Sequence, residues 1–179
     1  MILIFTGNGK GKTTAGLGAA IRALGWGFSV RWVYFDKGGS HYGEHHILKF
    51  LQENFKGASF KFFQFGLPRF NEKKQTFRFE NTKADKKEAA LALKKVNELK
   101  KTKPFLIIGD EIINAMNLGL LPVKNVKALI HSWPKETHLI LTGRNAPLWL
   151  ISAADLVSDV GLKKHYFKNA KKAIKGLEY

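Results

Sequence analysis

The chain opens on an unbroken apolar run, Ile2-Leu3-Ile4-Phe5, which breaks into glycines and ends in Lys12-Thr13-Thr14. Further runs return along the chain. Phe28 to Phe35 and Ala58 to Phe65 are rich in aromatic or β-branched residues, Pro104 to Ile108 is almost wholly apolar, and Thr137 to Leu141 and Asp155 to Val160 are shorter. Such runs predict strands, and one that is apolar on both faces predicts the buried centre of a parallel sheet.

Between the strands, apolar positions recur at helical spacing. Thr13 to Leu24 presents Ala15, Leu17, Gly18, Ala19 and Ala20 as small, sheet-packing positions, and Gly25-Trp26-Gly27 stops it. Gly43 to Leu51 predicts a short helix through Ile47, Leu48 and Leu51. Asn81 to Lys101 predicts a long amphipathic one, with Ala89, Ala92, Leu93, Val96 and Leu99 on one face and lysines on the other. Helices are also expected over Ile112 to Leu118, Pro122 to His131 and Pro147 to Ala153. The polar run after Gly66-Leu67-Pro68-Arg69-Phe70 has no readable period, and the basic tail to Tyr179 is expected to close as a hairpin. Strands alternating with helices predict an α/β fold: a mostly parallel central sheet flanked by helices. Residues 1–179 are expected to form one domain.

Composition narrows the chemistry. Thirty Lys and Arg against 14 Asp and Glu give a formal charge of +16, which attracts phosphates, anionic membranes or acidic proteins without choosing between them. Many of these lysines fall on solvent faces. The absence of cysteine excludes disulfides, thiolate metal sites and a cysteine nucleophile. No apolar run approaches the roughly 18 residues of a membrane span, and Met1 to Phe5 is too short for a signal peptide. A cytoplasmic location with no membrane partner is therefore expected.

The stretch from Ile2 to Thr14 reads as a strand, a phosphate-gripping loop and the start of a helix. Its glycines let successive N–H groups turn inward, and the helix N-terminus adds partial positive charge. ATP contacts are expected from Gly7, Asn8, Gly9, Lys10, Gly11, Lys12, Thr13 and Thr14, with the Lys12 ammonium on the outer phosphates and the Thr13 hydroxyl on Mg²⁺. Thr6 stands where the general pattern has its first glycine, so that glycine comes one residue late, at Gly7. The fold implied is a RecA-like P-loop nucleotide-binding fold.

Ligands of such sheets collect beyond the carboxyl ends of the strands. Two further ends carry chemistry: Asp110-Glu111 and Thr142-Gly143-Arg144. A Mg²⁺ bound to phosphate oxygens would offset the cost of adjacent carboxylates after a buried strand, so one of Asp110 and Glu111 is assigned to the metal, directly or through water. The preference of a helix N-terminus for acidic residues is the competing explanation. Arg144 either reaches a phosphate or pairs with a local carboxylate. His41, His45 and His46 have no carboxylate-rich pattern beside them and are expected at the surface. Phe60, Phe62, Phe63 and Phe65 are expected mostly in the core.

These residues resemble the ATP:corrinoid adenosyltransferases, the type that makes adenosylcobalamin from cobalamin. The resemblance rests on Thr6 to Thr14, Arg22-Ala23-Leu24-Gly25 with Gly27, Phe35 with Lys37-Gly38, and Gly43-Glu44. It continues through Asp110-Glu111-Ile112 with Asn114-Ala115, Gly119-Leu120-Leu121-Pro122 and Leu141-Thr142-Gly143-Arg144. Ala154-Asp155-Leu156-Val157, Lys164-His165 and Gly176-Leu177-Glu178-Tyr179 complete it. The late first glycine belongs to that family's loop.

The resemblance implies a transferase in which Co(I) attacks the 5′ carbon of ATP and triphosphate leaves as one unit. Lys12, Thr13 and Arg144 would be catalytic, Arg22 would join the ATP-binding residues, and Mg²⁺ would sit on Thr13, Asp110 and Glu111. The triphosphate is expected in the reverse sense to ordinary phosphate-loop enzymes. Two features depart from the family pattern. This chain starts on the strand, without the helical extension that helps cover the corrinoid. Family members also carry an aromatic pair after the third strand that displaces the corrinoid's lower ligand, whereas in this loop only Phe70 is a candidate for that role; corrinoid contacts are expected from Leu67 and Phe70. Nucleotide binding is thus better supported than corrinoid activation. The family suggests a homodimer, and the basic surface suits an acidic reductant such as a flavodoxin. A P-loop ATPase stimulated by nucleic acid is the alternative, weakened by the lack of a stacking platform or recognised nucleic-acid module.

Overall fold

The computed structural model describes residues 1–39, 42–57, 59–71, 76–78, 80–166 and 174–177. The apolar runs fold as β1 (Ile2–Thr6), β2 (Val30–Tyr34), β3 (Phe60–Gln64), β6 (Leu106–Asp110), β7 (His138–Thr142) and β8 (Leu156–Asp159). The helical patterns give α1 (Lys12–Gly25), α2 (Gly43–Asn54), α3 (Lys83–Leu99), α4 (Ile112–Asn117), α5 (Val123–His131) and α6 (Leu148–Ser152). The six strands form one sheet in the order β3-β2-β6-β7-β1-β8, with every pairing parallel. The unreadable polar run contains a small antiparallel hairpin, β4 (Phe70–Asn71) on β5 (Thr76–Phe77). The hairpin expected of the basic tail falls largely on residues 167–173 and 178–179, outside the described residues.

Strand side chains alternate between the two faces of the sheet, as a period of two requires. Ile4, Val33, Phe35, Ile107, Leu139 and Leu141 pack under α3, α4, α5 and α6, through Ala89, Val96, Ile113, Val126, Leu129 and Leu150. Val30, Trp32, Tyr34, Leu106, Ile108 and Ile140 pack under α1 and α2, through Ala20, Ala23, Leu24 and Leu48. Fully burying each large side chain contributes about 1.5–3 kcal/mol, so both helix layers are needed to hold the sheet. Phe60 is buried, and Phe62, Phe63 and Phe65 are partly so.

Local caps fix the helix entries. The Asp85 N–H donates to Thr82 Oγ1 at 3.2 Å while the Thr82 N–H donates to Asp85 Oδ2 at 2.8 Å, a reciprocal box that starts α3. Arg78 grips the same carboxylate with two N–H donors at 2.6 and 2.8 Å, tying the chain just after β5 to the helix.

Register is what builds the site. Phe5 stands beside Thr142, Thr6 beside Asp159, and Tyr34 beside Asp110. The carboxyl ends therefore lie along one edge of the sheet, and the loops leaving β1, β2, β6, β7 and β8 begin together. Among the described residues, no helix is long and apolar enough to cross a membrane.

Candidate nucleotide site

The loop after β1 curls where only glycine fits. Gly7 has φ 98°, and a Cβ there would stand 2.6 Å from the Val160 carbonyl oxygen. That same oxygen accepts from the Gly9 N–H at 2.6 Å, so the loop is fastened to the chain leaving β8. Gly11, at φ 115°, precedes the first turn of α1 and supplies no side-chain cap. The first-turn N–H groups are thereby left for an anionic ligand. Lys12 is buried and its ammonium donates to Gly9 O at 2.7 Å. Burial, and then the positive charge of Arg144, lower its pKa despite the opposing pull of the Glu111, Asp110 and Asp159 carboxylates.

Asp110 closes the same edge and is fully buried. It accepts from Thr142 Oγ1 at 2.6 Å and from Thr13 Oγ1 at 3.1 and 3.3 Å. Glu111 follows with φ 63°, a turn that its own N–H secures by donating to Thr142 Oγ1 at 2.9 Å. The Asn114 amide donates to the Glu111 carboxylate. Burial, and then the neighbouring charge of Asp110, push the Glu111 carboxyl up to about 7. The Asn114 side-chain oxygen accepts from the Arg144 N–H at 2.6 Å, and Asn117 donates to the Arg144 carbonyl at 2.9 Å. The loop carrying Arg144 is thus tied to α4.

Lys37 completes the cluster. Its ammonium stands 2.9 Å from Asp110 Oδ2, 3.0 Å from Thr13 Oγ1 and 3.2 Å from Glu44 Oε1. Burial works against its charge, but Asp110, Glu111 and Glu44 more than offset it and raise its pKa. The Tyr34 and Tyr42 rings lie 5.4 Å from the ammonium. By sequence Lys37 belongs to the Asp36-Lys37-Gly38-Gly39 loop and to the family motif, because a lysine before glycines after a strand looks like a turn. Only the pairing of β2 with β6 discloses its role, since it sits two residues beyond Phe35, whose N–H donates to Asp110 O at 3.0 Å.

A cavity of about 790 Å³ opens here, within the size range of small-molecule sites. Residues 8–14, Lys37, Tyr42, Glu44, Glu111 and Arg144 line it, together with Leu162, His165 and Leu177. Gly7 and Asp110 are not among the lining residues. The structure thus brings Lys12, Thr13, Asp110, Glu111 and Arg144 together. It does not bring Arg22 to this cavity. That residue is exposed in the last turn of α1, ten positions beyond Lys12 and so about 15 Å along the helix.

Leu67 is half-buried and follows Gly66, which packs on the backbone of Asp36 and Lys37. Leu67 is not among the residues lining the cavity. Phe70 begins β4, but its side chain lies outside the described part. The expectation of surface histidines is corrected at His45. That ring is buried 4.6 Å from the Tyr34 ring and 5.3 Å from that of Tyr42, because α2 turns it inward beside Leu48. His46 is exposed, and His41 lies outside the described residues.

Thr13 and Asp110 suit a hard divalent cation. Thr13 Oγ1 and Asp110 Oδ1 are 3.1 Å apart, close to the spacing of neighbouring oxygens around an octahedral ion with bonds of about 2.0–2.1 Å. No group of three or more His, Cys, Asp or Glu able to hold a metal occurs among the described residues, so phosphate and water would have to supply the remaining positions.

A family model described as ATP:corrinoid adenosyltransferase BtuR/CobO/CobP matches residues 1–179. The chain is 33% identical over 180 residues to a corrinoid adenosyltransferase of Pseudomonas aeruginosa, covering 100% of this chain and 83% of that one. It is 33% identical over 181 residues to one of Sinorhizobium, covering 100% and 80%. It is 32% identical over 181 residues to the corrinoid adenosyltransferase CobA of Salmonella typhimurium, covering 100% and 85%.

Proposed function

The chain belongs to the ATP:corrinoid adenosyltransferase family, and on that premise we propose that it transfers the 5′-deoxyadenosyl group of ATP to the Co(I) of a corrinoid, releasing triphosphate. The observation that carries this reading is the convergence of Lys12, Thr13, Glu111 and Arg144 on one cavity at the carboxyl edge of the sheet, with the buried Asp110 hydrogen-bonded to Thr13. The P-loop ATPase reading is not favoured by the family match.

In the reaction, the cobalt electron pair forms the bond to C5′ as the bond from C5′ to the triphosphate oxygen breaks. Its electrons leave on the triphosphate, and no proton moves, so no general base is required. Negative charge grows on the departing oxygen. Lys12, the loop N–H groups and Arg144 are positioned to stabilise it, as preorganised donors do wherever charge develops. Thr13, Asp110 and Glu111 would hold Mg²⁺, which would supply positive charge to neutralise the polyphosphate. Residues 8–14 would hold the triphosphate in the reverse sense to ordinary phosphate-loop enzymes, leaving the ribose carbon facing the corrinoid. β7 stands between the loop strand β1 and the acidic strand β6, which supports assignment of the sheet to the RecA-like class.

The enzyme acts as a homodimer in the cytoplasm, where ATP is supplied. Its +16 charge favours an acidic electron carrier of the flavodoxin type as reductant. The test uses the protein with ATP, Mg²⁺ and chemically reduced cobalamin, followed by visible spectroscopy. Chemical reduction bypasses the Leu67–Phe70 loop and reads transfer alone. A spectrum converging on that of adenosylcobalamin supports the reading, and a spectrum that ATP leaves unchanged overturns it.

A further inference from the structure

The oxygens suited to the divalent ion are already held by a cation of the chain itself. Three donors of the Lys37 ammonium reach Asp110 Oδ2, Thr13 Oγ1 and Glu44 Oε1, at 2.9, 3.0 and 3.2 Å. An ammonium has three donors, so this set exhausts them. An ion bound to Thr13 Oγ1 and the Asp110 carboxylate would share Thr13 Oγ1 with the ammonium and take the other oxygen of the carboxylate that the ammonium already holds, so two positive charges would lie side by side and repel. The ammonium and the ion therefore exclude one another.

The backbone at Lys37 is fixed while its side chain has somewhere to go. Gln64 Nε2 donates to the carbonyls of Lys37 and Gly39 at 2.9 and 2.6 Å. A Cβ at Gly38 would stand 2.7 Å from the Gly66 carbonyl carbon, so the turn is packed onto the loop after β3. The ammonium lies 5.4 Å from each of the Tyr34 and Tyr42 rings, and both Lys37 and Tyr42 line the cavity beside the phosphate loop. A long side chain on a fixed turn can move from the buried carboxylate to a polyphosphate without rearranging the fold.

We propose that Lys37 is a built-in counter-ion that occupies the metal position of the nucleotide-free enzyme, so that the divalent cation is admitted only with the polyphosphate that draws the ammonium away. This rests on the metal reading of Thr13 and Asp110 above. Its consequence is coupled loading: free Mg²⁺ is refused, and metal and nucleotide reinforce one another's binding.

The experiment measures Mn²⁺ binding by electron paramagnetic resonance, without nucleotide, in wild type and in the Lys37→Met and Lys37→Gln variants. Circular dichroism melts accompany it, to compare folded proteins only. Wild type should bind Mn²⁺ at least tenfold more weakly than either folded variant, and addition of ATP should abolish most of that difference. Equal Mn²⁺ affinity in nucleotide-free wild type and a folded variant overturns the proposal. Asp110→Asn in the ATP-loaded enzyme separates the two readings. If that change leaves Mn²⁺ binding with ATP intact, the metal reading itself fails; if it weakens binding while Lys37 variants match wild type, only the counter-ion role fails.

Discussion

Thr142 Oγ1 donates to Asp110 Oδ1 at 2.6 Å and accepts from the Glu111 N–H at 2.9 Å, joining the carboxyl ends of β7 and β6 through one hydroxyl. It holds one residue assigned to the metal and fixes the left-handed turn that presents the next. Thr142→Val keeps the shape and removes the hydroxyl. It should cost about 1–3 kcal/mol of stability, the penalty for buried polar groups left unpaired. Thr142→Ser should recover most of that loss in urea unfolding.

Lys12→Ala removes the buried ammonium nearest the phosphate loop. Loss of a preorganised donor to developing charge lowers kcat by about 10²–10³-fold. Single-turnover adenosylation with chemically reduced cobalamin measures it, and an effect confined to KM would show that Lys12 serves binding only.

Two glycines should respond in opposite directions. Gly7→Ala forces a Cβ against the Val160 backbone at φ 98°, and should destabilise the fold by roughly 1–3 kcal/mol while weakening ATP binding. Gly18 is exposed within α1, with nothing inside 4 Å of a built Cβ. Gly18→Ala should stabilise by about 0.4–1 kcal/mol, through the smaller entropy of the unfolded chain. Thermal melts of the two variants provide the check.

Asp85 sets an acid limit on the fold. The hydrogen bonds from Arg78, and then those from Thr82, hold its carboxyl well below the usual carboxylate range despite burial. A carboxyl whose pKa is depressed on folding contributes stability above its unfolded value of about 3.9, and loses it as pH falls toward the folded value. Asp85→Asn should therefore cost about 1–2 kcal/mol at pH 7, the Arg78 side being partly exposed, and progressively less below about pH 4. A loss independent of pH would assign the effect to the cap alone.

The sheet was legible because its central strands are apolar runs ending in turn signals, and because the phosphate loop joins β1 to α1 by sequence alone. Asp110, Glu111 and Arg144 were found by the rule that chemistry gathers at the carboxyl ends of parallel strands. What escaped depends on lateral pairing. Lys37 acquires its meaning from Tyr34 standing beside Asp110, a contact across 76 positions that no local pattern encodes. His45 reads as polar and exposed until α2 packs it on Tyr34. The hairpin of Phe70–Asn71 with Thr76–Phe77 has strands too short for any period. Arg22 was carried by family motif rather than by position, and α1 places it a helix length from the loop.

Departure of the polyphosphate as one piece from the ribose carbon is tested most directly by ³¹P NMR of the products formed from ATP, Mg²⁺ and a chemically reduced corrinoid. Inorganic triphosphate in equal yield with adenosylated corrinoid is the predicted result. ADP and inorganic phosphate as the main products, with the corrinoid unmodified, would contradict it.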